Sequence, residues 1–150
     1  MQCSFETDLG HIAITAQDGA VTGLGWGQSD TQDADPVLCD AIRQVRAYFA
    51  GTLTAFDLPL AVRGSDFQKA VCDEMCGIPF GETVTYGDIA QKLNVPPQAV
   101  GQACGGNPIP IIIPCHRVLA ADGLGGFSAR GGIETKVALL RHERAASLLI

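Results

Sequence analysis

The sequence predicts an α+β protein made of two lobes. Residues 1–26 alternate between apolar and polar side chains and are interrupted by Gly and Asp-Gly turns, a pattern typical of short strands. From Pro36 onward, apolar residues recur at three- and four-residue spacing, which indicates helices. A composition of 47% apolar and 17% charged residues is that of a folded chain with a core. The expected boundary gives a lobe over 1–62 and a domain over 63–150.

The N-terminal lobe is predicted to be a small sheet with one helix. Its short strands are joined by tight turns, and Asp18-Gly19 is a hairpin signal between two of them. The strands are expected at residues 5–8, 11–16 and 21–26. Asp35-Pro36 opens the helix, with proline at its first turn, and Gly51 ends it.

The C-terminal domain is predicted to be mostly helical and to contain a helix-turn-helix. Ser65 or Asp66 caps its first helix. Thr85, followed three residues later by Asp88, resembles a capping box and opens the next helix. Residues 94–97 break that helix and start another, which gives two short helices joined by a tight turn.

The segment 107–114 and the three residues after it point to sulfur chemistry. Its three prolines and three consecutive isoleucines exclude a helix and a central strand, and they predict a stiff, buried, extended rod. Cys115 follows where the rod ends, and His116 and Arg117 come next. A cysteine beside a histidine and a cation is typical of a thiolate nucleophile. A buried structural cysteine beside a core histidine fits the same residues equally well.

The six cysteines are expected to be free thiols. The polar start Met1–Ser4 is no secretory signal, and no Cys-x-x-Cys pair suggests a structural zinc site. Cys72 and Cys76 lie one helical turn apart and are interpreted as helix core positions rather than metal ligands. No apolar run approaches the ~20 residues of a membrane span, so we expect a cytoplasmic protein that needs no membrane.

The charge distribution limits what the chain binds tightly. Residues 1–62 hold eight acidic and two basic residues, so the whole net charge of −6 lies there. The domain over 63–150 is balanced and lacks the basic patch of a tight nucleic-acid binder. Its helix after Pro97 presents the small residues Ala99 and Gly101, which permit close approach to a backbone with little readout of bases.

The run Pro114-Cys115-His116-Arg117-Val118, preceded by Asn107-Pro108, closely resembles the active-site signature of the O6-alkylguanine-DNA alkyltransferases, the methylated-DNA–protein-cysteine methyltransferases. The resemblance extends to residues 48–51, 56–60, 136 and 139–143. It implies a ribonuclease H-like N-terminal lobe and DNA repair by direct damage reversal. An alkyl group would pass irreversibly from O6-alkylguanine to Cys115, once per molecule and without a metal or cofactor. The implied partner is double-stranded DNA, bound by a monomer through the minor groove.

The resemblance also implies catalytic roles. Cys115 is the nucleophile, His116 takes its proton through a water, and Glu143 orients His116, as in other nucleophile–base–orienter sets. Asn107 braces the active-site turn, and Tyr86 donates a proton to the guanine as it leaves. Without the family, His116 is interpreted as a core histidine and Glu143 as a solvated carboxylate at a helix end.

A second set of residues is implied to contact the base or the DNA. It comprises Gln98, Ala99, Gly101, Arg117, Val118, Phe127 and Ser128. The family usually has an intercalating arginine where this chain has Gln98, and a tyrosine where it has Phe127. Because Gln98 is neutral and shorter, we expect weaker flipping of the damaged base.

Two other functions stay open on the sequence. One is a protein that binds alkylated DNA without repairing it, which Gln98 and the acidic balance allow. The other is a Cys-His-Glu hydrolase, against which the helix-turn-helix and the lack of an obvious oxyanion-hole loop argue.

Overall fold

The computed structural model describes residues 1–127 and 132–145. The chain divides into two compact units, Met1–Arg63 and Gly64–Ile150. The first joins a sheet to a helix and the second is mostly helical, so the predicted α+β class is confirmed. Within the two described ranges, no helix is long and apolar enough to cross a membrane.

The first unit is a three-stranded antiparallel sheet covered by one helix. Its strands are β1 (Gln2–Thr7), β2 (Gly10–Gln17) and β3 (Ala20–Trp26), and β2 lies in the middle. Asp18 and Gly19 have φ angles of 52° and 78°, the left-handed pair that a two-residue hairpin turn favours, and the predicted hairpin is present. Helix α1 (Pro36–Phe49) begins at Asp35, whose carboxylate accepts the backbone N–H of Val37 at 3.0 Å.

The second unit begins with three helices that include the predicted helix pair. They are α2 (Asp66–Cys76), α3 (Tyr86–Leu93) and α4 (Pro97–Gly105). Ser65, not Asp66, caps α2, because its hydroxyl accepts the N–H of Gln68 at 3.1 Å. The capping box of Thr85 and Asp88 is complete. Asn94 ends α3 in the left-handed conformation that lets the chain turn into α4.

Residues 109–114 are buried as predicted, but the prediction that 107–114 is an extended rod is wrong. The chain turns back on itself, since the N–H of Ile113 donates to the carbonyl of Ile109 at 2.8 Å. At the bend, Ile111 has a φ of 73°, a conformation that β-branched residues rarely adopt. Such a residue costs on the order of 1–3 kcal/mol and persists only when its surroundings enforce it. Ile111 is fully buried, so packing holds the bend.

Two short strands connect this segment to α3. A 3-10 turn covers Cys115–Arg117, and β5 (Val118–Leu119) follows it and pairs in parallel with β4 (Val84–Thr85). Because Tyr86 is the first residue of α3, this pairing brings it beside the turn that carries Cys115. The last described helix, α5 (Ile133–His142), ends immediately before Glu143.

Candidate active site

A buried carboxylate lies at the centre of the candidate site. Glu143 Oε2 is 2.7 Å from His116 Nε2, and both side chains are fully buried. Arg117 donates to both carboxylate oxygens, with Nε at 2.8 Å from Oε1 and Nη2 at 3.0 Å from Oε2. Arg117 Nη1 also donates to the carbonyl of Ile78 at 2.6 Å. The two residues that follow Cys115 are therefore fixed by one side chain.

The protonation state of His116 follows from its burial. Burial lowers its pKa from the usual 6.5, and this effect outweighs the opposing hydrogen bond and charge of Glu143. A neutral imidazole beside a carboxylate carries its proton on the nitrogen that faces the carboxylate, so Nε2 donates to Glu143. Nδ1 is then left with a free lone pair, and it is buried without a hydrogen-bond partner among the described residues. Nδ1 can therefore accept a proton.

Asn107 fixes the backbone that leads into the nucleophile. Its side-chain Nδ2 donates to the carbonyl of Ile113 at 2.9 Å, and its Oδ1 accepts the N–H of Ile109 at 3.0 Å. The bend around Ile111 is thus closed by one side chain that spans it. This bracing is the structural part of the role expected for Asn107.

The thiol of Cys115 is subject to opposing effects. Only 7% of the residue is exposed, and burial raises the pKa of its thiol above the ordinary value. A hydrogen bond from Asn107 and the positive charge of Lys136 lower the same pKa. The thiol is therefore protonated at rest, and a nearby base is needed to make the thiolate.

Cys115 opens into a cavity of about 450 Å³. Two aromatic rings, two thiols and three glycines line it: Tyr86, Phe127, Cys104, Cys115, Gly101, Gly105 and Gly126. A cavity of this size with aromatic walls suits a flat organic ring. A side chain at Gly101, Gly105 or Gly126 would meet no protein atom within 4 Å, so their missing side chains leave open space.

Gly125 keeps Tyr86 in position. It has a φ of 71°, and a Cβ there would come within 2.9 Å of the Tyr86 ring and hydroxyl. Glycine is thus required both by its backbone conformation and by the close approach of the ring.

Known proteins are similar to this chain in sequence and in fold. Residues 66–145 match the family model of the 6-O-methylguanine DNA methyltransferase DNA binding domain, and residues 3–62 match that of its ribonuclease-like domain. A methylated-DNA–protein-cysteine methyltransferase of Mycobacterium bovis is 51% identical over 95% of this chain and 91% of its own length.

Solved structures agree with the sequence matches. The crystal structure of Mycobacterium tuberculosis OGT in complex with DNA has a TM-score of 0.84 and 39% identity, over 97% of this chain and 95% of that one. An O6-methylguanine DNA methyltransferase from Methanococcus jannaschii has a TM-score of 0.68 and 31% identity, over 98% of this chain and 96% of that one.

This chain belongs to the 6-O-methylguanine DNA methyltransferase family. The predicted family and activity are confirmed: the protein is a methyltransferase that repairs DNA by direct reversal, with a cysteine of the protein as the acceptor. Membership favours repair over both the non-repairing binder and the hydrolase.

The structure brings most of the expected site residues of this methyltransferase into two groups. Tyr86, Gly101, Cys115 and Phe127 line one cavity. His116, Glu143 and Asn107 form or brace the turn beneath it. Val118 is buried in β5, Gln98 is exposed on α4 and Ala99 is half-buried there. Ser128 lies outside the described residues.

The structure contradicts the role expected for Arg117. It was expected to contact substrate or DNA and to be the cation near the thiol. It is instead 6% exposed, and its donors bind Glu143 and the carbonyl of Ile78. A buried guanidinium with these partners is not available to a phosphate, so its role is to hold Glu143.

Two residues of the site were missed from the sequence. Lys136 is the cation whose charge reaches the thiol, and Cys104 is a second thiol in the cavity wall. Lys136 precedes Leu139 by three residues and Leu140 by four, so it lies on the apolar face of α5. A lysine on the apolar face of a helix is the sequence signal that could have identified Lys136 as a site residue.

Replacing Glu143 with glutamine tests the central carboxylate. The variant keeps the shape but leaves Arg117 as a buried charge without its counter-ion, so we expect the free energy of unfolding to fall by about 3–5 kcal/mol. Urea denaturation measures this change, and Glu134→Gln, at an exposed position of α5, is the matched control. Equal stabilities of the two variants would contradict the central role of Glu143.

The burial of neutral His116 predicts an acid-sensitive fold. Its folded pKa is lowered, so its contribution to stability is complete above pH 6.5 and is lost as the pH falls through the folded pKa. We expect the free energy of unfolding, measured in urea between pH 7.5 and 5, to decline in the wild type and to decline less in His116→Gln. His11→Gln, on β2, should retain the wild-type slope; identical slopes in all three proteins would refute the assignment.

Proposed function

We propose that Cys115 is the cysteine that accepts the alkyl group, and that the cavity beside it receives a flipped O6-alkylguanine. The observation that carries the proposal is the unpartnered, buried Nδ1 of His116, next along the chain from a thiol that opens into a cavity with aromatic walls. A protonated thiol beside such a base is the arrangement that nucleophilic catalysis needs.

The reaction balances with the residues of this site. The thiol proton passes to His116 Nδ1 through a water, and the sulfur attacks the alkyl carbon. The bond between that carbon and O6 breaks as the carbon–sulfur bond forms, and its electron pair stays on the guanine. The Tyr86 hydroxyl donates a proton to the departing base, and the proton that His116 took then neutralises the Tyr86 phenolate by way of water. The thioether is stable, so each molecule reacts once.

We propose that α4 is the helix that contacts the DNA. This helix carries no Lys or Arg, and its exposed residues include Gln98 and Gln102. A neutral helix of small residues suits close contact with the minor groove of double-stranded DNA in any sequence. The DNA complex of the M. tuberculosis relative supports a protein that acts on DNA, and we place this one, as a monomer, in the cytoplasm with the nucleoid.

Intact-protein mass spectrometry with peptide mapping tests the proposal. After incubation with a duplex containing O6-methylguanine, we expect one added methyl group per molecule, located on Cys115. Cys115→Ser should lose transfer and keep DNA binding, while Cys104→Ser controls for the other thiol of the cavity and should still accept one methyl. A methyl group on any other residue, or continued transfer by Cys115→Ser, would disprove the assignment.

Gln98 provides a second test of how the base enters. Arginine at this exposed position can fill the space of a flipped base and add a phosphate-directed charge. We therefore expect Gln98→Arg to speed single-turnover transfer from duplex DNA several-fold, and to leave the rate with free O6-benzylguanine unchanged. Gln102→Arg, one turn further along α4, is the matched control. Equal acceleration with both substrates would exclude Gln98 from flipping.

A further inference from the structure

The side chain of Lys136 is fully buried, which is rare for lysine. Its ammonium donates to the carbonyl of Val118 at 2.7 Å and to that of Gly126 at 3.1 Å. Within the part of the chain that the structure describes, no carboxylate pairs with it. A buried charge without a counter-ion is costly, and Lys136 takes part in none of the proton transfers proposed above.

The groups around Lys136 belong to the reaction. The ammonium lies 5.8 Å from the centre of the Tyr86 ring. Its charge also acts on Cys115 on the 3-10 turn, on Cys104 of α4 and on His116. Burial lowers the pKa of Lys136 to about 8, against the opposing effect of the two thiols. It is therefore a cation at neutral pH, and the two thiols and the phenol beside it become anions only by losing a proton.

We propose that Lys136 is a positioning residue for alkyl transfer, whose buried ammonium stabilises the Cys115 thiolate while its two hydrogen bonds hold the Gly126 wall of the cavity against β5. The proposal rests on Cys115 being the alkyl acceptor. Two contacts make it specific to this lysine: Gly126 lines the cavity, and Val118 follows the turn that carries the thiol. The same side chain thus supplies a charge and a fixed geometry.

The charge of Lys136 stabilises the anions that form on Cys115 and on Tyr86 during the reaction. When His116 takes the thiol proton, the negative charge on sulfur forms in a water-poor site where a nearby cation counts for more than in solvent. When Tyr86 gives its proton to the leaving guanine, a phenolate forms beneath the same ammonium. Lys136 neither gives nor takes a proton in these steps. The thioether product is neutral, so the stabilisation acts on the anions and not on the product.

Variants at position 136 separate charge from geometry. Lys136→Gln keeps an N–H donor for the carbonyls and removes the charge, whereas Lys136→Arg keeps the charge. The measurements are the single-turnover rate with free O6-benzylguanine and the rate of Cys115 alkylation by iodoacetamide, both from pH 6 to 10. Peptide mapping resolves Cys115 from the other five cysteines, and Lys92→Gln, an exposed lysine of α3, is the matched control.

We expect Lys136→Gln to move both pH profiles to higher pH by about one unit, which is roughly a tenfold slower reaction at pH 7. Lys136→Arg should recover most of that loss, and Lys92→Gln should match the wild type. A folded Lys136→Gln protein with the wild-type profiles would overturn the proposal, since a merely structural lysine would not move them.

A reciprocal measurement needs no substitution at position 136. If the two groups interact, each must shift the titration of the other by the same amount. Cys115 carboxymethylated with iodoacetate carries a fixed anion on the sulfur substituent, whereas Cys115 carbamidomethylated with iodoacetamide carries none, so the NMR titration of the Lys136 side chain should lie at higher pH in the first protein than in the second. The same Lys136 titration in both proteins would overturn the electrostatic role even if every position-136 variant failed to fold.

These outcomes are separable from those that test the acceptor itself. Failure of Cys115 to gain a methyl group in the wild type removes the proposed function. Methylated Cys115 in the wild type, with equal rates in Lys136→Gln, removes only the role of Lys136.

Discussion

A single buried carboxylate, that of Glu143, holds both residues that follow the candidate nucleophile. Removing a carboxylate from water is costly unless its charge is matched, and the bidentate contact with Arg117 provides that match. His116 can then stay neutral beside it, with one ring nitrogen bound and the other free. Because His116 and Arg117 come directly after Cys115, the position of the thiol depends on the same interaction. The position of the thiol is therefore set in part by residues that do not line the cavity.

The features that local sequence rules predicted are those that depend on neighbouring residues, whereas the pairing of His116 with Glu143 was expected only from the family resemblance. The Asp18-Gly19 hairpin and the Thr85–Asp88 capping box involve side chains and backbone within a few positions, and both are present. The path predicted for 107–114 was wrong because packing imposes the bend at Ile111. This bend opposes the local conformational preference of a β-branched side chain. The partner of Arg117 lies 26 residues away, beyond the reach of any local rule.

Burial of the thiol has two opposing effects on its chemistry. It raises the pKa of Cys115 and so reduces the fraction of reactive thiolate at rest. It also excludes water, and in a water-poor site the same few charges and hydrogen bonds act more strongly on a developing anion. A resting thiol that becomes an anion only when its base and its substrate are in place is protected from casual alkylation. The selectivity of the Cys115 thiol for its substrate over other alkylating agents therefore depends on its burial as well as on its own reactivity.

The long sequence separation of the contacts at Glu143 has a consequence for the order of folding. The helices α3 and α4 and their caps rely on nearby residues and can form early, whereas Glu143 meets His116, Arg117 and Gly81 across 27, 26 and 62 residues. The loops between them must close before these contacts contribute any stability. A chain that has formed α3 and α4 but has not yet docked the end of α5 therefore lacks the contacts of Glu143 with His116 and Arg117. The candidate site is therefore complete only after the end of α5 has docked.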